Sequence, residues 1–402
     1  MSLDASHCGF GDRLTPRYGP ELRVLIVGGG VTGLTLAALL EQRGFSPTVV
    51  ERRIGYDHAD CVLGLWPAGS RVLKGIGLFR AFLNIGLECA RYTVANTAGA
   101  VLHSYSLEPL AERYGPLVNV FRPDLIALLQ GAIASNRLRL GVKLRDIAET
   151  SAGVVALFDD GTNDTFDLIV ACDGLRSGIR RLAFGEDPRP QAGMMGWGIS
   201  CPVSFVPPRE ITEYWGERKF FGIYPARDRL YAFAGVRADV PSSGPRSDHA
   251  DWRIARLRGE FQQFGGLVPW VLGQLEEDRV FHRDYFGLRM DTWHRGRVVL
   301  VGHAAHAVLG TGGLGTSLAM ESAAVFADEL CRADSSRIAL AFEQYTARRR
   351  ARVDHVLSWS RRLGRFMFTG NRFVARLRDG AVHLTADERL LVGVERVLSE
   401  PL

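Results

Sequence analysis

The sequence predicts an α/β fold in which a helix-covered parallel sheet is interrupted by an antiparallel sheet and followed by C-terminal helices. Three observations carry this. Near the N-terminus an apolar strand, a glycine turn, a helix and a second strand follow one another directly. Two later strands each run into a polar turn. Between them, about 190 to 285, lie short alternating strands with many aromatic residues and paired prolines. With 402 residues, 47% apolar and 23% charged, the chain falls outside the fibrous and wholly disordered classes. Its net charge of +5 gives no reason to expect a nucleic-acid partner.

Residues 1–20 mix glycine, proline and polar residues and read as a flexible extension. Leu22–Val27 is a strand, Gly28–Gly33 a turn, and Leu34–Arg43 a helix stopped by Gly44. The strand Pro47–Glu51 completes a β-α-β unit, and such a crossover makes the sheet parallel. A second unit runs through the helix Pro123–Ser135 and the strand Leu168–Ala171. A third joins the strand Arg297–Val301 to a helix from about Gly315 to Cys331. Phe220–Tyr224 and Leu230–Gly235 are strands of the inserted sheet. Arg348–Arg378 holds ten arginines and one acid, Asp354, among apolar residues. It reads as a helix packed on the parallel-sheet unit with its arginines in solvent, contact with an anionic membrane being the alternative. Cys8, Cys61, Cys89, Cys172, Cys201 and Cys331 form no C-x-x-C or zinc spacing and read as reduced thiols, with no metal expected. No apolar run approaches the length needed to cross a bilayer, so a soluble cytoplasmic protein is expected, monomeric or homodimeric.

The chemistry starts at Gly28-x-Gly30-x-x-Gly33, set between strand and helix, with Glu51 ending the next strand. Gly28 permits the tight turn, Gly30 lets a pyrophosphate approach the backbone, and Gly33 allows close helix packing. Phosphates then meet the free amides of a helix N-terminus, and the Glu51 carboxylate can accept from ribose hydroxyls. This is a Rossmann-like dinucleotide site. Trp66, Trp197, Tyr224 and Phe233 are candidates for the wall of an aromatic-substrate pocket, with sheet core as the alternative.

Two further segments extend the argument: Asp173-Gly174-x-x-Ser177-x-x-Arg180, and Gly302-His303-Ala304-Ala305-His306. With Glu51-Arg52, Gly64-Leu65-Trp66-Pro67, Phe121-Arg122, Trp293-x-x-Gly296-Arg297 and Gly312-Gly313-Leu314-Gly315, they resemble the fingerprints of the group A flavin monooxygenases, in the same order. That is the para-hydroxybenzoate hydroxylase family, and the likeness is greatest to its salicylate and urate hydroxylase branch. The resemblance covers roughly residues 22 to 365 and is weakest in the middle sheet.

The resemblance implies an FAD-binding domain of residues 21–90, 118–189 and 286–335, interleaved with a substrate domain of 91–117 and 190–285, then C-terminal helices from 336. Gly28, Gly30 and Gly33 would hold the FAD diphosphate, Glu51 the adenosine ribose and Arg52 the adenine side, while Arg122 would reach the cofactor from a second helix. Asp173 and Gly174 would lie near the diphosphate and help the nicotinamide donor. Gly302 and His303 would meet the ribityl chain, and the amides of Gly313, Leu314, Gly315 and Thr316 the N1–C2=O edge of the isoalloxazine. The implied activity is an NAD(P)H- and FAD-dependent monooxygenase. It would move one oxygen atom from O2, through a flavin C4a-hydroperoxide, to an aromatic or polycyclic small molecule, as a hydroxylase or epoxidase. No protein nucleophile is then needed. The rival readings are a flavin oxidase or dehydrogenase, and an FAD-binding protein without turnover.

The chain departs from the family pattern in three places. His303 stands where the family has aspartate, and a neutral imidazole accepts fewer hydrogen bonds than a carboxylate. Gly310 replaces a usual proline, and Ser322 follows Glu321 where an acid is common. His306 reads as a packing residue behind the site.

Overall fold

The computed structural model describes residues 21–56, 61–185, 193–238, 250–385 and 387–400. The expected extension, residues 1–20, lies outside them. Along the chain come β1 (Val24–Val27), α1 (Val31–Glu41), β2 (Thr48–Glu51), α2 (Pro67–Gly75), β3 (Arg91–Asn96) and β4 (Val101–Ser106). Next are α3 (Arg122–Gln130), β5 (Leu138–Leu140), β6 (Leu168–Ala171) and α4 (Gly178–Phe184). Then follow β7 (Gly193–Pro202), β8 (Glu210–Trp215), β9 (Lys219–Pro225), β10 (Arg229–Ala238), α5 (Ala250–Phe261), β11 (Val280–Phe286) and β12 (Val298–Leu300). The chain ends in α6 (Gly315–Leu330), α7 (Ile338–Met367), α8 (Arg372–Leu384) and α9 (Asp387–Ser399).

β12, β6, β1, β2 and β5 form the parallel sheet in that order, with His294–Arg295 pairing antiparallel at the β12 edge. All four residues of β1 and of β6 are buried, as a sheet covered on both faces requires. Helix α1 is buried along Gly33–Leu40 against this sheet and α6, each buried leucine contributing about 1.5–3 kcal/mol. The second crossover differs from its expected form. Between β5 and β6 the chain inserts a three-stranded antiparallel meander of residues 144–166 rather than passing straight from a helix to the strand.

The second large sheet has the order β11-β7-β10-β9-β8-β3-β4. Its pairs are antiparallel except β8 with β3, which are parallel because β3 enters from an earlier excursion of the chain. The pleat sends alternate residues to opposite faces. One face, with Trp197, Ile199, Phe221 and Ala234, is buried under α5 and the short helix Val268–Gly273. The other carries Met194, Glu213, Phe220, Tyr224, Tyr231 and Phe233.

Helix α7 packs on α6 as expected, but its arginines are not all in solvent. Arg349 and Arg352 are buried, as is Arg378 of α8, since each bends to an acid or a carbonyl within the protein. Among the described residues no two cysteines form a disulfide. Among the described residues no helix is long and apolar enough to cross a membrane.

Candidate functional site

Three neighbouring parallel strands end level with one another: Val27 lies beside Ala171, and Ala171 beside Leu300. The turns at Gly28, Cys172–Gly174 and Gly302–His303 therefore open at one edge, outside the carboxyl ends of the strands, where ligands of such sheets bind. Gly28 has φ 109°, and a Cβ there would stand 2.5 Å from the Cys172 carbonyl oxygen. A Cβ at Gly33 would stand 2.0 Å from the Gly28 oxygen, so only glycine lets the first turn of α1 press on the turn before it. Gly30 caps α1 with extended backbone, leaving the first-turn amides without helical acceptors.

Glu51 closes this turn from β2. Its two carboxylate oxygens accept from the Gly29 and Arg53 amides, each at 3.0 Å. Tyr56, which no motif or spacing marks, donates to the Gly29 carbonyl at 2.7 Å. Burial, reinforced by the Glu51 charge, pushes its phenol up to about 12. Arg122 opens α3 and brings a guanidinium nitrogen to 3.9 Å from a Cβ placed at Gly30. Arg52 stays exposed beside Glu51.

Asp173 accepts from the Gly178 and Ile179 amides through Oδ2, at 2.7 and 3.1 Å, and its Oδ1 has no partner. Burial raises its pKa against those hydrogen bonds. Ser177 caps α4 by accepting from the Arg180 amide at 2.9 Å. Arg180 is itself buried and donates to the carbonyls of Ala304 and Leu175, at 3.0 and 2.9 Å, tying the second turn to the third. Beyond Gly174, at φ 81°, a Cβ would meet nothing within 4 Å.

A Cβ at Gly302 would lie 2.8 Å from Thr32 of α1, which brings the third turn against the first. His303 Nε2 is 3.2 Å from a Cβ placed at Gly315, at the start of α6, and has no hydrogen-bond partner. Burial lowers the His303 pKa, so the imidazole is neutral at pH 7. His306 sits deeper: its Nε2 is 3.1 Å from Ser322 Oγ, and its ring lies 5.3 Å from that of Trp293. Leu314 precedes α6, and Gly315 and Thr316 form its first turn. Gly313, at φ 63°, places its Cβ position 3.4 Å from Trp66 Nε1.

The same loop meets the second sheet. A Cβ at Gly310 would lie 3.2 Å from Met194 and 3.7 Å from Phe233. Phe233 and Tyr224 thus share the sheet face turned toward the glycine loop. Trp197 is on the opposite face, fully buried between Phe261 and His282, and the structure does not bring it to the other three aromatic candidates. Trp66 is brought to the loop from the parallel-sheet side.

On the loop-facing side is a residue that sequence reasoning passed over. Glu213 is buried and accepts from Tyr224 Oη at 2.6 Å and Trp215 Nε1 at 2.9 Å, with the Tyr92 phenol a further donor. Burial raises its pKa against these donors. Gly222 makes the contact possible, since a Cβ there would stand 2.5 Å from Tyr224 Oη, so the ring lies flat across the glycine to reach Glu213.

The family model described as FAD binding domain matches residues 21–360. The aurachin C monooxygenase/isomerase of Stigmatella aurantiaca is 27% identical over 373 residues, covering 92% of this chain and 96% of the relative. The 3-amino-4-hydroxybenzoate 2-monooxygenase PtmB3 of Streptomyces platensis is 30% identical over 373 residues, covering 89% and 91%. Among solved structures, Klebsiella pneumoniae HpxO complexed with FAD and uric acid superposes with a TM-score of 0.85 at 23% identity, over 97% of this chain and 100% of that one.

Proposed function

The chain belongs to the FAD binding domain family and is a flavin-dependent monooxygenase, and on that premise we propose that it inserts one atom of O2 into an aromatic or polycyclic small molecule, with NAD(P)H as reductant. When bound and reduced, FAD supplies the activation of oxygen. The chain's own residues bind, orient and exclude water.

The observation that carries the reading is the convergence of three glycine-bearing strand ends on one edge, with two polar atoms there left unpartnered, Asp173 Oδ1 and His303 Nε2. These fit a polyhydroxylated diphosphate cofactor, whose hydroxyls donate where the protein offers acceptors. In this reading Gly28, Gly30 and Gly33 hold the diphosphate at the N-terminus of α1. Glu51 takes the adenosine ribose, Arg52 the adenine side, and Arg122 reaches the cofactor from α3. Asp173 and Gly174 lie near the diphosphate, where they also assist the nicotinamide donor. Gly302 and His303 meet the ribityl chain, and the amides of Gly313, Leu314, Gly315 and Thr316 face the pyrimidine edge, where negative charge develops on reduction. The parallel sheet with its helices forms the cofactor unit. The sheet of β3, β4 and β7 to β11 forms the substrate unit, with Tyr224, Phe233 and Glu213 on one side of the reacting space and Trp66 on the other.

Two relatives act, by their names, on nitrogen-bearing aromatic compounds, which supports an aromatic substrate here. The test is reconstitution with FAD followed by turnover under isotopically labelled dioxygen. One labelled atom in the organic product is the expected result; label appearing only in hydrogen peroxide would point to an oxidase, and no flavin uptake would end the reading.

A further inference from the structure

Helix α8 is apolar on two sides. Its inner side buries Ala375, Arg378 and Val382 against the substrate sheet. Its outer side, which in a water-facing helix would be polar, carries Phe373 and Leu377, each 74% exposed, and Leu384 at 85%. These three recur at i, i+4 and i+11 and so line one stripe, flanked by Val374 and by exposed Arg372 and Arg376. Exposed Arg362, Arg365 and Phe366 continue the pattern at the end of α7. The helix's one acid, Asp379, is bound to Arg378 at 2.8 Å, and among the described residues no acid pairs with Arg372 or Arg376 to offset the outward positive charge.

We propose that this face docks on an anionic phospholipid surface, with Phe373, Leu377 and Leu384 among the acyl chains and the flanking arginines at the headgroups. Apolar residues in a stripe edged with arginine are what an interfacial helix uses, and net positive charge selects an anionic surface over a neutral one. The helix is held rigidly for this. Arg378 donates to the Met367, Gly216 and Trp215 carbonyls at 2.7, 3.1 and 3.4 Å, and His383 Nδ1 lies 2.9 Å from the Leu102 oxygen. Those contacts set the stripe beside β4 and β8 of the aromatic sheet, so an apolar aromatic compound dissolved in lipid would be delivered next to the proposed substrate face. Docking itself does not depend on the oxygen-transfer reading, because it is measured without turnover.

The test is co-sedimentation of the full FAD-loaded chain with vesicles of phosphatidylglycerol and phosphatidylcholine, against phosphatidylcholine alone. The expected result is binding to the anionic vesicles, reduced about tenfold or more by neutral lipid, by high salt, or by Phe373→Glu with Leu377→Glu. Both side chains are in solvent, so flavin content and the far-ultraviolet spectrum stay unchanged; Arg372→Ala with Arg376→Ala gives the same loss should the first variant misfold. The proposal is overturned if the parent chain stays in the supernatant, or if both double variants sediment like it. It is equally overturned if size exclusion shows the glutamate variant turning a dimer into a monomer with no vesicle binding, since a second copy then covers the stripe.

Discussion

Glu213 and Glu321 are both buried glutamates, and their surroundings are opposite in kind. Glu321, in α6, sits among cations: Arg352 reaches it at 2.8 and 2.5 Å, Arg349 at 3.2 Å, and Arg71 at 3.6 Å. Arg352 continues to Glu400 at 2.9 Å, so one carboxylate ties α6 to α2, α7 and the end of the chain. Glu213 has two phenols and an indole, and among the described residues no cation pairs with it. The first arrangement neutralises charge and fastens helices. The second leaves a carboxylate whose ionisation the protein opposes, on the sheet face turned to the glycine loop, where perturbed groups concentrate at sites of function.

The largest effect expected from breaking this contrast is on the paired side. Arg352→Ala strips Glu321 of its bidentate partner and leaves the buried carboxylate to Arg349 and Arg71 alone, costing about 3 kcal/mol in urea unfolding, the lower end for a broken buried pair. A loss within 1 kcal/mol, roughly that of an exposed pair, would show that the network is solvated rather than buried. Next comes Gly222→Ala. The added methyl meets Tyr224 Oη at 2.5 Å and forces the ring from Glu213, an overpacking of about 1–3 kcal/mol. Turnover should fall while FAD affinity, set in the other sheet, holds; loss of flavin with the ring would contradict that separation.

Glu213→Gln sharpens the comparison through pH. Burial favours the neutral acid, so the folded chain holds this proton above the ordinary carboxyl value of 4.5 at which the unfolded chain releases it. Across that window the folded state binds more protons, and the wild type loses stability as pH rises. Glutamine cannot ionise and escapes this loss, though its amide leaves one donor without an acceptor. The variant is therefore expected to be less stable by about 1 kcal/mol at the acid end, and to close that gap as pH rises through the window. A gap that widens with pH would mean that the carboxylate is stabilised in its ionised form.

How much of this could be read from the residues differs between the two sides. The first strand, turn, helix and strand were legible because period and glycine placement are local. The 144–166 meander was missed, though Gly153 and Gly161 mark its turns, because a helix was expected to make every crossover. Glu213 was not legible, since it shares a face of β8 with Ile211 and Trp215, where an acid finds its donors only once Tyr92 of β3, from distant sequence, and Tyr224 of β9 are paired beside it. The buried arginines of α7 did leave a signal. Arg349 and Arg352 fall at i+4 and i+7 from buried Tyr345, on the stripe that also carries Val356, but a run of ten arginines hid two that point inward.

The smallest expected effect on the stability of the empty chain tests whether a third carboxylate could be met by hydroxyls of the cofactor itself. His303 is held neutral by burial, with Nε2 unpartnered beside the first turn of α6. His303→Asp would place a charge there with no cation to meet it, as at Glu213, offset in part by the helix N-terminus by about 0.3–1 kcal/mol. The FAD-free variant should thus be slightly less stable than the parent. With FAD, ribityl hydroxyls would donate to the new acceptor, and a charge-assisted hydrogen bond of about 1.5 kcal/mol corresponds to a roughly tenfold lower dissociation constant. Flavin-fluorescence titration measures this, and the thermal shift on adding FAD should grow in step. An unchanged or weaker affinity would mean that position 303 does not face the ribityl chain, and that the imidazole's free nitrogen serves the α6 turn alone.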